Sequence, residues 1–168
     1  MTVAPATTMY VNARALIERT VDGRATLLLQ RRDEPGVPSR LETPGGCVEP
    51  YESILEALRR EIREETGLEL VRILDDPARL VVEGDDGATE CLRPYFVYQS
   101  LRGPVDSLGF YFRCQVEGTL LERGHESKDL HWMDFRELRR LLGEAPELFS
   151  WVDRAALTYY LSAEPDSE

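Results

Sequence analysis

The sequence predicts an α/β fold, and three observations carry this prediction. Two strand-like runs between residues 10 and 31 flank Asp22-Gly23, a dipeptide typical of tight β-hairpins. An amphipathic helical pattern follows over residues 54–66. Further strand-like runs come next, and two more helical patterns lie near the C-terminus. The chain is therefore predicted to contain both strands and helices, as an α/β fold does.

The later elements come after the middle helix. Runs rich in β-branched and aromatic residues predict strands at 69–75, 79–83, 89–99, 108–117 and about 130–133. Asp134 and Glu137 have the spacing of a capping box, so we expect a helix that ends at Gly143. A last helix is expected over residues 151–161.

The middle helix has a start signal and a stop signal. Ser53 is a good N-cap residue, and Glu56 stands three positions later, as in a capping box. Gly67 stands where a left-handed residue ends a helix in a Schellman motif, with Leu68 as its hydrophobic contact. The helix is therefore expected to run from about residue 54 to about residue 66.

Three acids gather on one side of this helix. At 3.6 residues per turn, Glu61, Glu64 and Glu65 fall within roughly 100° of one another. Only Arg60 is near enough along the helix to pair with Glu64, and like charges at these spacings repel. A merely solvated charged helix is the simpler alternative. However, carboxylates that converge on one face suit Mg²⁺ or Mn²⁺, which explains a cluster that a solvated face does not need.

The composition limits the kinds of function. The formal net charge is -11, which argues against a protein that holds nucleic acid by its phosphates. The 168 residues can bury a core in one domain, which we expect over 9–163, with loose tails at 1–8 and 164–168. Three widely spaced cysteines suit a reducing compartment. With no signal peptide or membrane-helix pattern, we expect a cytoplasmic protein without a membrane partner.

The segment around the acids resembles a known family. Its residues match every fixed position of the Nudix box, namely Gly46, Glu52, Arg60, Glu61, Ile62, Glu64, Glu65, Gly67 and Leu68. Nine fixed positions over 23 residues make this a specific pattern. The chain is therefore identified as similar to Nudix hydrolases. The resemblance implies an α/β/α sandwich around a mixed sheet and the metal-dependent hydrolysis of a diphosphate linkage in a nucleoside diphosphate derivative.

The resemblance also implies roles for individual residues. The expected metal ligands are the carboxylates of Glu61, Glu64 and Glu65 and the carbonyl of Gly46. Arg60 would orient the glutamates, and Glu52 would pair with it or reach a metal through water. The catalytic set implied in this way is Glu61, Glu64, Arg60 and Glu126. Glu126 lies in a later acidic loop and is either a further ligand, the general base or a solvated acid.

Several questions stay open at this level. The same fold could sense a nucleotide without cleaving it, although such a domain would have no need to keep the whole acid cluster. The small-molecule substrate could be a nucleotide sugar, a nucleoside triphosphate or a similar compound, because no subfamily signature stands outside the box. A homodimer is an expectation from the family alone. One departure is Tyr51, where the family commonly has glycine.

Overall fold

A mixed β-sheet forms the centre of the structure, a computed structural model that describes residues 8–74 and 79–163. The strands are β1 (Tyr10–Val21), β2 (Arg24–Arg32), β3 (Leu41–Glu42), β4 (Gly45–Cys47), β5 (Glu69–Ile73), β6 (Leu80–Gly84), β7 (Gly87–Cys91), β8 (Phe96–Gln99), β9 (Ser107–Glu117), β10 (Arg123–Gly124) and β11 (Ser127–Asp134). The helices are α1 (Ile54–Thr66), α2 (Phe135–Glu144) and α3 (Trp151–Ala163), with a short 3-10 turn at Pro146–Leu148.

The main sheet has the strand order β10-β11-β2-β1-β9-β5. Strand β1 is parallel to β9 and antiparallel to β2, so the sheet is mixed. The short strands β3, β4 and β8 pair at its sides, and β6 and β7 form a separate two-stranded hairpin. No helix in the described part of the chain has the length and apolar character needed to span a membrane.

Both faces of this sheet are covered, which explains its unbroken apolar strands. In β2, Leu27 and Leu29 face one cluster, while Leu28 between them faces another, because successive strand residues point to opposite sides. The first cluster includes Leu138 of α2 and Leu157 of α3, and the second contains the apolar side of α1. The fold is therefore the α/β/α sandwich that the sequence led us to expect.

The local predictions are confirmed in most places. Asp22 and Gly23 both have positive φ angles, 49° and 76°, in a tight turn between β1 and β2. Helix α1 has the expected bounds, and α3 continues two residues beyond its predicted end. Helix α2 runs to Glu144, one residue past Gly143.

The predicted strand at 89–99 is wrong as a single element. Residues up to Cys91 pair with β6, whereas residues from Phe96 onward pair with β9. Pro94 lies in the break between them and has no N–H to donate to a ladder. The end of the predicted strand 69–75 and nearly all of the two predicted tails lie outside the described residues.

Candidate functional site

The start of α1 is held by a residue far away in the sequence. Ser53 is the N-cap, but its side chain makes no capping hydrogen bond, so the predicted capping box with Glu56 is wrong. Instead, Glu90 of β7 accepts hydrogen bonds from the Ser53 hydroxyl at 2.9 Å and from the Ile54 N–H at 3.2 Å. A carboxylate at this end of a helix also meets the positive end of the helix dipole. The β6–β7 hairpin therefore supplies the cap.

The end of α1 is held by the loop that carries Glu126. Gly67 is left-handed, with φ 75°, and ends the helix as predicted. Backbone carbonyls of the last turn would otherwise lack partners. The His125 N–H donates to the Glu64 carbonyl at 2.9 Å, and the Ser127 hydroxyl donates to the Glu65 carbonyl at 2.8 Å. The loop is thereby fixed next to two of the three acids.

This docking needs a glycine. The Cα of Gly124 lies so close to the carbonyl of Glu65 that a Cβ on it would collide with backbone. Gly124 pairs with Ser127 in the short β10–β11 hairpin. The geometry of the acidic loop therefore depends on a residue with no side chain.

Arg60 connects most of the acids of the box. Its guanidinium binds Glu52 in a bidentate pair, with Nε–Oε1 at 2.8 Å and a second bond at 2.9 Å. It also lies 2.7 Å from the nearer Glu61 oxygen and 3.4 Å from Glu64. The hydrogen bond from Arg60 lowers the pKa of Glu52. The pKa of Arg60 itself is raised, first by Glu52 and then by Glu61. Arg63, by contrast, pairs with Glu69, beyond the end of the helix.

Glu61 packs directly against Gly46. A Cβ built on Gly46 would lie 2.6 Å from the carboxyl carbon of Glu61, so any other residue would displace that carboxylate. Burial raises the pKa of Glu61, and the Glu64 charge acts in the same direction, while Arg60 opposes both. A partly desolvated carboxylate beside a second acid and a backbone strand favours a positive ion.

Glu65 points into the protein interior. Its residue is 3% exposed, and its Oε2 accepts a hydrogen bond from the Gly45 N–H at 2.7 Å. Burial raises the pKa of Glu65 to about 8, although the bond from Gly45 lowers it. Glu64, in contrast, has a side chain that is 45% exposed. The three acids therefore occupy three different environments.

The three carboxylates do not meet as the helix pattern predicted. Arg60 holds Glu61 and Glu64, and the Gly45 N–H holds Glu65. Within the ranges that the structure describes, no three acidic, histidine or cysteine side chains are placed to hold a metal ion together. The donor set still fits Mg²⁺ or Mn²⁺, because it consists of hard carboxylate oxygens around a glycine that leaves room for Glu61.

Glu126 is linked to the strand that precedes the box through a cation that the sequence did not single out. The Glu126 carboxylate is 46% exposed and lies 3.3 Å from Arg32 of β2. Arg32 also binds Glu42, at 3.1 and 3.2 Å. Glu42 is buried, and burial raises its pKa. Strand β3 has only two residues, which is too short for an alternation of apolar and polar side chains to be recognised. The burial of Glu42 is therefore apparent only in the tertiary structure.

A buried ion pair fixes the loop that leads into the box. Asp153 of α3 is fully buried and lies 2.7 Å from Arg14 of β1. Asp153 also accepts hydrogen bonds from the N–H and the hydroxyl of Thr43, at 2.9 and 2.6 Å. Arg14 in turn donates to the Gly45 carbonyl at 2.9 Å. Residues 43–45 are thus held at the sheet from both sides.

A groove of about 460 Å³ opens beside these residues. Its polar residues are Arg14, Arg32, Glu34, Arg40, Glu42 and Ser150. Its apolar side includes Trp151, Pro38, Pro104 and Val105. Because Arg32 binds both Glu42 and Glu126, the groove borders the candidate catalytic loop.

The unusual Tyr51 adopts the backbone of a glycine. Its φ is 62°, in the left-handed region, and its side chain is fully exposed. The loop before the helix therefore keeps the shape that glycine would adopt freely, at the expense of backbone strain.

The fold and the composition of the box define a class of protein, and comparison with known proteins assigns the family. The family model described as NUDIX domain matches residues 9–155. This match covers most of the chain, and the protein belongs to the Nudix family.

Individual relatives match either a short segment of the chain or the whole fold at low sequence identity. Residues of this chain are 54% identical over 48 positions to nucleoside triphosphatase NudI of Escherichia coli O1:K1 / APEC, covering 28% of this chain and 34% of that protein. The chain thus matches about a third of the length of that curated relative.

Solved structures show a likeness in fold. A NUDIX hydrolase from Nitrosomonas europaea superposes with a TM-score of 0.63 at 21% identity, covering 92% of this chain and 90% of that one. The NUDIX domain of Shewanella oneidensis NrtR complexed with ADP ribose has a TM-score of 0.65 at 12% identity, covering 95% and 92%. The MutT protein from Methanosarcina mazei Go1 has a TM-score of 0.62 at 22% identity, covering 95% and 97%.

Proposed function

We propose that this protein hydrolyses a diphosphate linkage in a small nucleoside diphosphate derivative with the help of Mg²⁺ or Mn²⁺. The observation that carries the proposal is the arrangement of Arg60, Glu61 and Gly46, in which a partly buried carboxylate and a backbone glycine adjoin a second acid. The family membership of residues 9–155 supports the same chemistry. The matched segment of a nucleoside triphosphatase supports a nucleotide as substrate.

The acids of the box would hold the ion. Glu61, Glu64 and Glu65 are the carboxylate ligands in this proposal, and the carbonyl of Gly46 is a further one. When bound, a divalent ion neutralises phosphate oxygens and lowers the pKa of a coordinated water. Arg60 keeps Glu61 and Glu64 in place through its two-point contact with Glu52. Removal of Arg60 would therefore disorder the ligands without removing one.

Two carboxylates are the candidates for the base that takes a proton from the attacking water. Glu64 and Glu126 have side chains that are 45% and 46% exposed, so both can reach water and substrate. The bonds from His125 and Ser127 to the helix carbonyls keep these two acids at one end of α1. Glu126 would have to exchange its contact with Arg32 for one with the water.

The test is product release from a panel of substrates. Nucleoside triphosphates, nucleotide sugars and ADP-ribose are incubated with the full chain and Mg²⁺, and phosphate, diphosphate or nucleoside monophosphate is measured. We expect turnover of at least one compound, loss of turnover in EDTA, and a fall of at least about 100-fold in kcat for Glu65→Gln, because the variant removes the charge of a proposed metal ligand. Glu64→Gln and Glu126→Gln, compared over pH, identify the base.

Glu69→Gln is the matched control. Glu69 is an acid paired with an arginine of the same helix, but it lies beyond the helix end and is exposed. The activity of the Glu69→Gln variant should equal that of the wild type. Absence of turnover across the panel, or full activity of Glu65→Gln, would refute the proposal. Nucleotide binding without turnover would favour a sensing domain, and a molar mass in solution of one chain would exclude the homodimer expected from the family.

A further inference from the structure

A fully buried glutamine of β2 makes no hydrogen bond through its side chain. Gln30 is 0% exposed. Within the part of the chain that the structure describes, neither the nitrogen nor the oxygen of its amide has a hydrogen-bond partner. A buried amide without partners destabilises a fold, whereas an apolar side chain of the same shape would not. The stability of the fold therefore does not explain why this residue is polar.

The geometry of the strand directs Gln30 toward α1. Leu28 packs in the cluster that contains the apolar side of α1, and residues two apart in a strand point to the same face of the sheet. Glu42 of β3 is the cross-strand partner of Gln30, so two buried polar side chains lie together on this face. An apolar residue at position 30 would simply extend the cluster around Leu28.

The group of α1 that lies near Gln30 is the carboxylate of Glu65. Burial raises the pKa of Glu65, and a contact with the Gln30 side chain is among the influences that lower it. The amide is thus close to the carboxylate, although it is not in hydrogen-bonding geometry. The Glu65 oxygen Oε2 accepts a hydrogen bond from the Gly45 N–H at 2.7 Å. A second donor would fix the orientation of the carboxylate about that bond.

We propose that Gln30 is a positioning residue whose amide nitrogen donates to Glu65 when this carboxylate holds a divalent ion. The inference rests on the proposed function, in which Glu65 is a metal ligand. A carboxylate can only accept hydrogen bonds, and an amide nitrogen can only donate them, so the chemistry of the pair determines the direction of the bond. Groups that hydrogen-bond to metal ligands orient them. Gln30 therefore lowers the stability of the metal-free protein but raises its affinity for the ion.

The experiment compares metal affinity with stability. Mn²⁺ is titrated into the full chain without substrate, and free Mn²⁺ is measured by electron paramagnetic resonance. Gln30→Met replaces the amide by an apolar group of similar length, and it should weaken Mn²⁺ binding by about 10- to 100-fold. In EDTA, the same variant should unfold at a urea concentration equal to or higher than that of the wild type, because a buried amide without partners has been removed. Gln30→Leu repeats both measurements with a second apolar side chain.

Gln115→Met is the matched control, since Gln115 is an exposed glutamine on β9 of the same sheet. This variant should bind Mn²⁺ as the wild type does. A purely structural role of Gln30 predicts lower stability of Gln30→Met in EDTA or an unchanged Mn²⁺ affinity, and either result overturns the inference. A wild type that binds no Mn²⁺ refutes the metal-dependent function and the inference with it. Equal Mn²⁺ binding by the wild type and Gln30→Met refutes only the role of Gln30.

Discussion

Replacing Glu65 by glutamine should stabilise the metal-free protein at alkaline pH while it abolishes activity. Glu65 is 3% exposed and its pKa is raised to about 8, chiefly by burial. The Gly45 N–H donates to Glu65 at 2.7 Å. Glutamine has nearly the same shape as glutamate and can accept the same hydrogen bond. The variant therefore removes the charge and keeps the contact. Its effect on stability has to depend on pH.

The direction and the upper limit follow from the two pKa values. The folded protein holds the Glu65 proton more tightly than the unfolded chain does, so this group favours folding most below pH 4.5. That contribution is lost as the pH rises through about 8. From 4.5 to about 8, at about 1.4 kcal/mol per pH unit, the loss is at most about 5 kcal/mol. Glutamine does not titrate and avoids this loss.

The assay is urea unfolding of both proteins in EDTA between pH 5 and pH 9. The difference in unfolding free energy should be small at pH 5 and should exceed about 2 kcal/mol in favour of Glu65→Gln at pH 9. If Glu65 is also a metal ligand, Mg²⁺ should raise the melting temperature of the wild type at pH 9 more than that of the variant. A free-energy difference that stays the same from pH 5 to pH 9 would falsify this reasoning about the buried carboxyl.

Three further changes test the surroundings of the site. Tyr51→Gly should raise the unfolding free energy by about 1 kcal/mol by relieving a left-handed backbone, whereas Tyr51→Ala should not, as urea unfolding will show. Asp153→Asn should lower stability by about 3–5 kcal/mol, because it leaves the Arg14 charge buried and unpaired; a calorimetric melt equal to that of the wild type contradicts this. Glu90→Ala should lower the unfolding free energy by about 1–2 kcal/mol, because it removes the cap of α1. Ser53→Ala should lower it less in the same urea unfolding experiment, and an equal or larger loss would contradict the assignment of Glu90 as the cap.

Local signals predicted the parts of the fold that local interactions determine. The first hairpin was predictable from Asp22-Gly23, because only a few residue types readily adopt the left-handed conformation of its turn. Helix α1 was bounded correctly because its apolar stripe and Gly67 act within the helix. The two-residue strands β3 and β10 could not be predicted, since they exist only through their pairing with β2 and β11.

The candidate site was predictable as a set of residues but not as an arrangement. The helical spacing placed Glu61, Glu64 and Glu65 on one side, yet it could not show that Glu65 turns inward to Gly45. Glu42 and Asp153 gave no local signal, because a buried acid differs from a surface acid only in what the rest of the chain places around it. Their burial is a property of the tertiary structure.

The same reason explains why the site depends on the whole domain. The predicted capping box would have capped the start of α1 with a residue of the helix itself. In the structure the cap is Glu90, 37 residues beyond Ser53. At the other end of α1, the carbonyl of Glu65 accepts a hydrogen bond from Ser127, 62 residues further along the chain. Both ends of the helix are therefore completed by segments that are distant in the sequence. An isolated peptide of α1 would keep the acids but lose their arrangement, so the metal chemistry proposed for the box belongs to the tertiary structure.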